Sequence, residues 1–262
     1  MLLPFVLKSR LESGEALVGS WLSFGYPLIA EMMAHAGFDF LVIDMEHGHA
    51  GTAGMLHLIQ VIELSGTAPL VRVASNDVRL IKSAMDGGAH GVIVPDIRSA
   101  AEAARAVEAV HYPPRGKRGV GLSRAQRFGS QFERYRDECL PQALVVAQIE
   151  HHQAVTDLDS ILAVDGIDAF IIGPYDMSGS INRPGEFDHP EVAALLERAG
   201  ASIRTSSKPG GYHIVHTDHA LMQRRLAEGC RFIAYGTEMT FLDEKLNAEG
   251  AFVRSLKQKT VK

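Results

Sequence analysis

Eight short apolar runs, each followed by a polar turn and an amphipathic stretch, constrain this chain more than any other feature of its sequence. The runs lie near residues 18–24, 39–44, 68–73, 90–94, 143–149, 168–172, 209–214 and 231–235. They are rich in Val, Ile and Phe and lack strict alternation, the pattern of strands buried on both faces. Helical spacing fills the gaps over 27–36, 53–64, 78–86, 100–110, 154–163, 190–206, 219–228 and 238–256. Pro27 and Pro190 suit first-turn positions, where a missing N–H costs nothing. Strand followed by helix, eight times over, predicts an α/β fold closed into a (β/α)8 barrel. A length of 262 residues suits one such barrel, and no linker or low-complexity tract divides it. A single domain over 1–262 is therefore expected. Residues 112–141 alone break the rhythm; a connection of that length is functional or carries short helices of its own.

Composition removes whole classes of function. Charged residues make up 22% and the net charge is -5, with Lys and Arg scattered apart from Arg115-Gly116-Lys117-Arg118. That distribution offers no footprint for nucleic acid. No run approaches the roughly 20 apolar residues of a membrane helix. Two cysteines, Cys139 and Cys230, make no disulfide framework, which suits a reducing, cytoplasmic location.

The chemistry stands where the strands stop. The second run breaks into Asp44-Met45-Glu46-His47, the fifth ends at Gln148-Ile149-Glu150, and the sixth at Gly173-Pro174-Tyr175-Asp176. In strand-helix barrels the strand C-termini form the catalytic mouth. Glu150 and Asp176, at the ends of neighbouring strands, would face one another. Two carboxylates in a partly dry pocket repel, and a divalent cation relieves that repulsion. An all-oxygen site with open positions favours Mg2+ or Mn2+. The competing reading pairs each carboxylate with a surface cation or a helix start.

Arg72 ends the third run and can grip a carboxylate with two parallel hydrogen bonds. Its blander role is an internal salt bridge to Asp44 or Glu46; its functional one is a clamp on an acidic substrate, and the two are compatible. Histidine ionises closest to neutrality, which makes His47 the natural general base. Asp86, before Gly87-Gly88, is a candidate carboxylate partner, although spacing alone supports the pairing weakly. His213, His216 and His219 are poor candidates for a second metal site, because Tyr212-His213-Ile214-Val215 reads as a strand and its exit. Glu150-His151-His152 reads as a helix start.

These motifs, in order, resemble the HpcH/HpaI family, the metal-dependent class II pyruvate aldolases typified by 4-hydroxy-2-oxoheptanedioate aldolase. The likeness runs through residues 36–47, Val71-Arg72-Val73-Ala74-Ser75-Asn76-Asp77, residues 112–121, Gln148-Ile149-Glu150 and residues 172–178. It implies a TIM barrel of the phosphoenolpyruvate/pyruvate type. It also implies Glu150 and Asp176 as ligands of Mg2+, Mn2+ or Co2+, Arg72 on the pyruvate unit and its enolate, and His47 as base with Asp86 as partner. Gln148 would line the pocket, and the Tyr175 and Asp176 amides would hold the substrate carboxylate. The implied reaction is reversible cleavage of 4-hydroxy-2-oxo acids to pyruvate, or a related 2-oxo acid, and an aldehyde. A citrate-forming or macrophomate-type synthase, or a thioester lyase, keeps the same motifs and stands as the alternative; a non-catalytic binding barrel is disfavoured by the intact set.

Two departures touch the mouth. Tyr175 stands where relatives carry a small residue, and His213 where they usually carry an aliphatic one, so a different acceptor pocket is expected. Relatives also assemble as trimers paired into hexamers, with the last helix reaching a neighbour. Phe241, Leu242, Leu246, Phe252 and Leu256 give the C-terminal segment an apolar face suited to that, or to ordinary internal packing.

Overall fold

The computed structural model describes residues 4–260 and closes eight parallel strands into a barrel in the order β1 to β8. The strands are β1 (Leu17–Leu22), β2 (Phe40–Asp44), β3 (Ala68–Arg72), β4 (Gly91–Val94), β5 (Leu144–Ile149), β6 (Ala169–Ile172), β7 (Gly210–Ile214) and β8 (Phe232–Thr237). Each falls within about two residues of its expected place. Helices α2 (Pro27–Ala34), α3 (Thr52–Leu64), α4 (Val78–Gly87) and α5 (Ala100–Val110) follow the first four strands. Pro27 opens α2 as expected, and Asp77 caps α4 by accepting from the Arg79 and Leu80 amides.

The long connection after α5 holds short helical turns and no strand, among them α6 (Phe132–Arg134). Beyond β5 the helix expected over 154–163 is two, α7 (His152–Thr156) and α8 (Leu158–Leu162), parted at Asp157. Then come α9 (Pro174–Gly179), α10 (Pro190–Thr205), α11 (His219–Ala227) and α12 (Glu238–Thr260).

Two apolar clusters explain why the strands needed no polar face. Phe40, Val42, Leu70, Ile93, Val146, Ile171 and Phe232 fill the barrel, while their neighbours Leu41, Ile43, Val71, Val92, Val145 and Ile172 pack outward under the helices. A first helix that the sequence reading missed, α1 (Leu7–Glu12), inserts Leu7 and Leu11 into the inner cluster where the strands begin. Lys8 fastens it there through an ion pair to the half-buried Asp168, 2.7 Å long.

Inside, the Phe40 and Phe232 rings stack with centroids 4.7 Å apart. A Cβ on Gly19 would stand 2.2 Å from the Phe40 ring. Gly19→Ala is expected to destabilise the fold by about 1–3 kcal/mol through overpacking, read as a lower urea midpoint with an unchanged slope. An unchanged midpoint would mean that the inner rings re-pack freely.

Helix α12 begins against its own barrel and then leaves it. Glu238 accepts from the Ser23 and Phe24 amides, and Phe241 packs on the outer core. Beyond them Leu242, Leu246, Phe252 and Leu256 are exposed, Leu246 at 67%. Both cysteines are free and buried. Among the described residues no helix is long and apolar enough to cross a membrane.

Candidate active site

Strand register builds the centre of the site. Asp44 and Arg72 are paired positions on β2 and β3, so the last inward residue of each strand meets the other. Arg72 donates from Nε to Asp44 Oδ1 at 3.0 Å and from Nη2 to Oδ2 at 2.7 Å, a two-pronged grip on a buried carboxylate. Burial works to raise the Asp44 carboxyl, but Arg72 outweighs it and holds the group below the usual carboxylate range. The other Asp44 duty is local: Oδ1 accepts from the Glu46 and His47 amides at 3.1 and 3.2 Å, folding the loop after β2 over the mouth. Arg72 Nη1 reaches Glu46 Oε2 at 3.0 Å, and its guanidinium lies 5.1 Å from the Trp21 ring centroid. The salt bridges that the sequence allowed to Asp44 and to Glu46 are both present.

Around this cation the charge is negative. Glu150 is buried at the end of β5, where Oε1 accepts from the Asp96 amide at 2.7 Å and Oε2 from the Gln148 side chain. Burial, helped by Glu46 and Asp176, pushes its carboxyl up to about 7 despite those two donors. Glu46 is likewise raised, by burial first and then by Asp44, Asp176 and Asp96, against the lowering pull of Arg72. Asp176 sits in the first turn of α9, behind Pro174. A Cβ on Gly173 would lie 2.8 Å from Glu150 Oε2, so glycine there keeps the space beside the carboxylate open.

Among the described residues no group of three or more His, Cys, Asp or Glu is arranged to hold a metal. The two expected ligands fit a different kind of site. Magnesium-type sites use one or two carboxylates and complete their shell with water and substrate. A raised carboxyl beside a second acid and an open glycine cradle suits that chemistry.

His47 is exposed on the loop after β2, at the strand C-termini. Asp86 is not with it. It lies in the last turn of α4, which runs back to the end where the strands begin, and its Oδ1 sits 3.3 Å from Arg118 Nε. Arg118 is fully buried there, donating to the Val110 carbonyl and to the Tyr112 and Tyr135 hydroxyls. The expected His47–Asp86 pair is therefore not made within one chain. Helix direction opposes it, a constraint that linear spacing hides.

The histidine trio also separates. His213 points into the barrel and stacks on Trp21 at 4.4 Å, His216 sits 3.7 Å from Glu244, and His219 faces Tyr235. His151 caps α7 through its ring nitrogen, as a helix start should. Trp21 and Asp96 are site residues that the sequence reading missed. Asp96 carries the better signal, because Pro95-Asp96 follows a strand and its backbone is left-handed at φ 52°.

A model of the HpcH/HpaI aldolase/citrate lyase family matches residues 17–243. A hydroxypyruvate/pyruvate aldolase of Pseudomonas aeruginosa is 40% identical over 241 residues, 91% of this chain and 89% of that protein. A 2-keto-3-deoxy-L-rhamnonate aldolase of Escherichia coli is 36% identical over 254 residues, 96% of this chain and 93% of the other. A crystal structure of an HpcH/HpaI aldolase/citrate lyase family protein from Burkholderia cenocepacia superposes with TM-score 0.89 at 31% identity, covering 95% and 98% of the two chains.

Proposed function

This chain belongs to the HpcH/HpaI aldolase/citrate lyase family, and from that premise we propose that it reversibly cleaves 4-hydroxy-2-oxo acids to pyruvate, or a related 2-oxo acid, and an aldehyde. It is a carbon–carbon lyase of the class II aldolase type. The observation that carries the reading is the Asp44–Arg72 fork, set in register on adjacent strands and facing the acids Glu46, Glu150 and Asp176.

Glu150 and Asp176 are the proposed holders of a divalent cation, Mg2+, Mn2+ or Co2+. When bound, it would draw electron density from the keto oxygen and carboxylate of a 2-oxo acid and acidify the adjacent carbon. Asp44 locks the Arg72 plane, so donors of that guanidinium meet negative charge developing on the keto oxygen without reorganising. The amides of Tyr175 and Asp176, at the start of α9, are free to receive the substrate carboxylate. Gln148 holds Glu150 with its amide nitrogen and keeps its carbonyl oxygen, buried and unpartnered, in the pocket. His47, at the open side, takes the proton of the 4-hydroxyl during cleavage and returns it in condensation.

Chelator treatment of the purified protein is expected to abolish pyruvate release, and Mg2+, Mn2+ or Co2+ to restore it. Activity that survives metal stripping and is trapped by borohydride rejects the reading. Coupling pyruvate release to lactate dehydrogenase separates cleavage from synthase or thioester-lyase chemistry in the same family.

Assembly is part of the proposal. The exposed apolar face of α12 and the misplaced Asp86 are both accounted for by a homo-oligomer, a hexamer of paired trimers, in which Asp86 of one copy serves His47 of another. Mixed oligomers of His47→Ala and Asp86→Ala chains should then regain up to roughly a quarter of wild-type activity, the share of sites that draw both intact residues. No recovery after subunit exchange, or a monomer by light scattering, removes this part.

A further inference from the structure

Alternation along the strands turns Trp21, Asp44, Arg72, Gln148 and His213 inward at the mouth end of the barrel. Those on β2, β3 and β5 belong to the charged side already described. Those on β7 and β1 form a neutral side: the His213 ring stacks on Trp21 at 4.4 Å, and the Arg72 guanidinium lies 5.1 Å from the same Trp21 ring. The imidazole is hydrogen-bonded to the Gly236 backbone, while its Nε2 is shielded from solvent and has no partner among the described residues. Burial, seconded by Arg72, pushes His213 down to about 4 against the raising pull of Gly236 and Asp44, so the ring is neutral at neutral pH. A neutral imidazole that donates from one nitrogen offers a lone pair on the other. Trp21 is 2% exposed, and its Nε1–H likewise has no partner among the described residues. Shielded polar atoms are normally paired, so two open ones in a single stack beside Arg72 mark a place where a substrate group completes the bonding.

We propose that His213 selects the 2-oxo acid, its Nε2 accepting a hydrogen bond from a hydroxyl on C3, so that a 3-hydroxylated donor such as hydroxypyruvate is preferred to one with an apolar C3. The inference rests on the aldolase reading above and adds the class of nucleophile to it. In that reading the substrate carboxylate lies on the α9 amides, beyond β6, and the keto oxygen between the cation and Arg72, on the side of β3 to β5. The third carbon then faces the strands that remain, β7, β8 and β1, where His213 and Trp21 stand. A hydroxyl both donates and accepts, so it meets the His213 lone pair and can receive the Trp21 N–H as well. A methyl in its place leaves both nitrogens unpaired, and a site built to bond a hydroxyl discriminates against the analogue that lacks it. Of the two departures at the mouth, His213 thereby bears on the 2-oxo acid.

The test uses the whole metal-loaded enzyme, glycolaldehyde as fixed acceptor, and hydroxypyruvate or 2-oxobutyrate as donor, which differ by a hydroxyl against a methyl of similar size. His213→Leu should lower the ratio of kcat/KM for hydroxypyruvate to that for 2-oxobutyrate by at least about fivefold. The ratio does not depend on how much of the variant is folded. A smaller change, with both donors weakened alike, overturns the proposal and leaves His213 as a packing partner of Trp21. Should the variant fail to fold, exchange of C3 protons for deuterium, followed by NMR without an acceptor, decides in the wild type. Hydroxypyruvate should exchange at least about fivefold faster than 2-oxobutyrate, each taken relative to its rate with metal and no protein, and a smaller advantage overturns the proposal. Enzyme that exchanges neither these donors nor pyruvate instead rejects the aldolase reading itself.

Discussion

An Arg72→Lys variant is expected to fold and to bind its metal, yet to lose about a hundred- to a thousandfold in kcat, the usual cost of removing one preorganised donor from a developing oxyanion. Lysine keeps the charge but not the planar fork, so it cannot hold both Asp44 oxygens, reach Glu46 and still present a fixed donor to substrate. Arg72→Ala should do more. It leaves Asp44 buried without its cation, and breaking one side of such a pair costs about 3–5 kcal/mol of stability. The two variants together separate chemistry from folding. Steady-state kinetics report the first and urea melts the second. Lysine tolerated with less than a tenfold loss in kcat would show that Arg72 only shapes the barrel.

Raising the pH should weaken the metal-free protein because of one carboxyl. Glu150 is carried by burial from the ordinary 4.5 to about 7, so the folded chain holds this proton more tightly than the unfolded chain does. Its contribution to stability is therefore complete below pH 4.5 and is lost as the pH rises through 7, a difference of ~3 kcal/mol. Asp44 acts in the opposite sense: held down by Arg72, it stabilises the fold above the ordinary carboxylate range and is lost in acid. Chemical melts of chelated protein between pH 5 and 8 should show the decline, and Glu150→Gln should flatten it. A cation must displace the same proton, so its apparent affinity should fall about tenfold per pH unit below 7. A decline that persists unchanged in Glu150→Gln would assign it elsewhere.

The fold was legible because buried strands and amphipathic helices follow different periods, and each of the eight apolar runs became a strand. Chemistry at strand ends was legible too, since Asp44, Arg72, Glu150 and Asp176 interrupt apolar sequence with groups a core would reject. Other features depended on three-dimensional facts that leave little trace in one dimension. Helix α1 is six residues long and derives its place from the barrel it plugs. Helix α9 hides among glycine, proline and serine. Trp21 reads as an ordinary core residue until Arg72 and His213 are seen against its ring. The separation of Asp86 from His47 within one chain was hidden for a different reason: sequence distance says nothing about which end of a barrel a helix residue occupies.

Closure of the ring has a consequence for how such a site can change. In an open sheet two strands can slip by a residue and carry their side chains with them. Here a slip between β2 and β3 would have to be repaid around all eight strands, so Asp44 and Arg72 are inherited as one unit. Novelty is left to the rim, where α9 and the segments beside β6 and β7 can be rebuilt without touching the fork. An engineer seeking new products would do best to randomise that rim and leave the strand lengths alone.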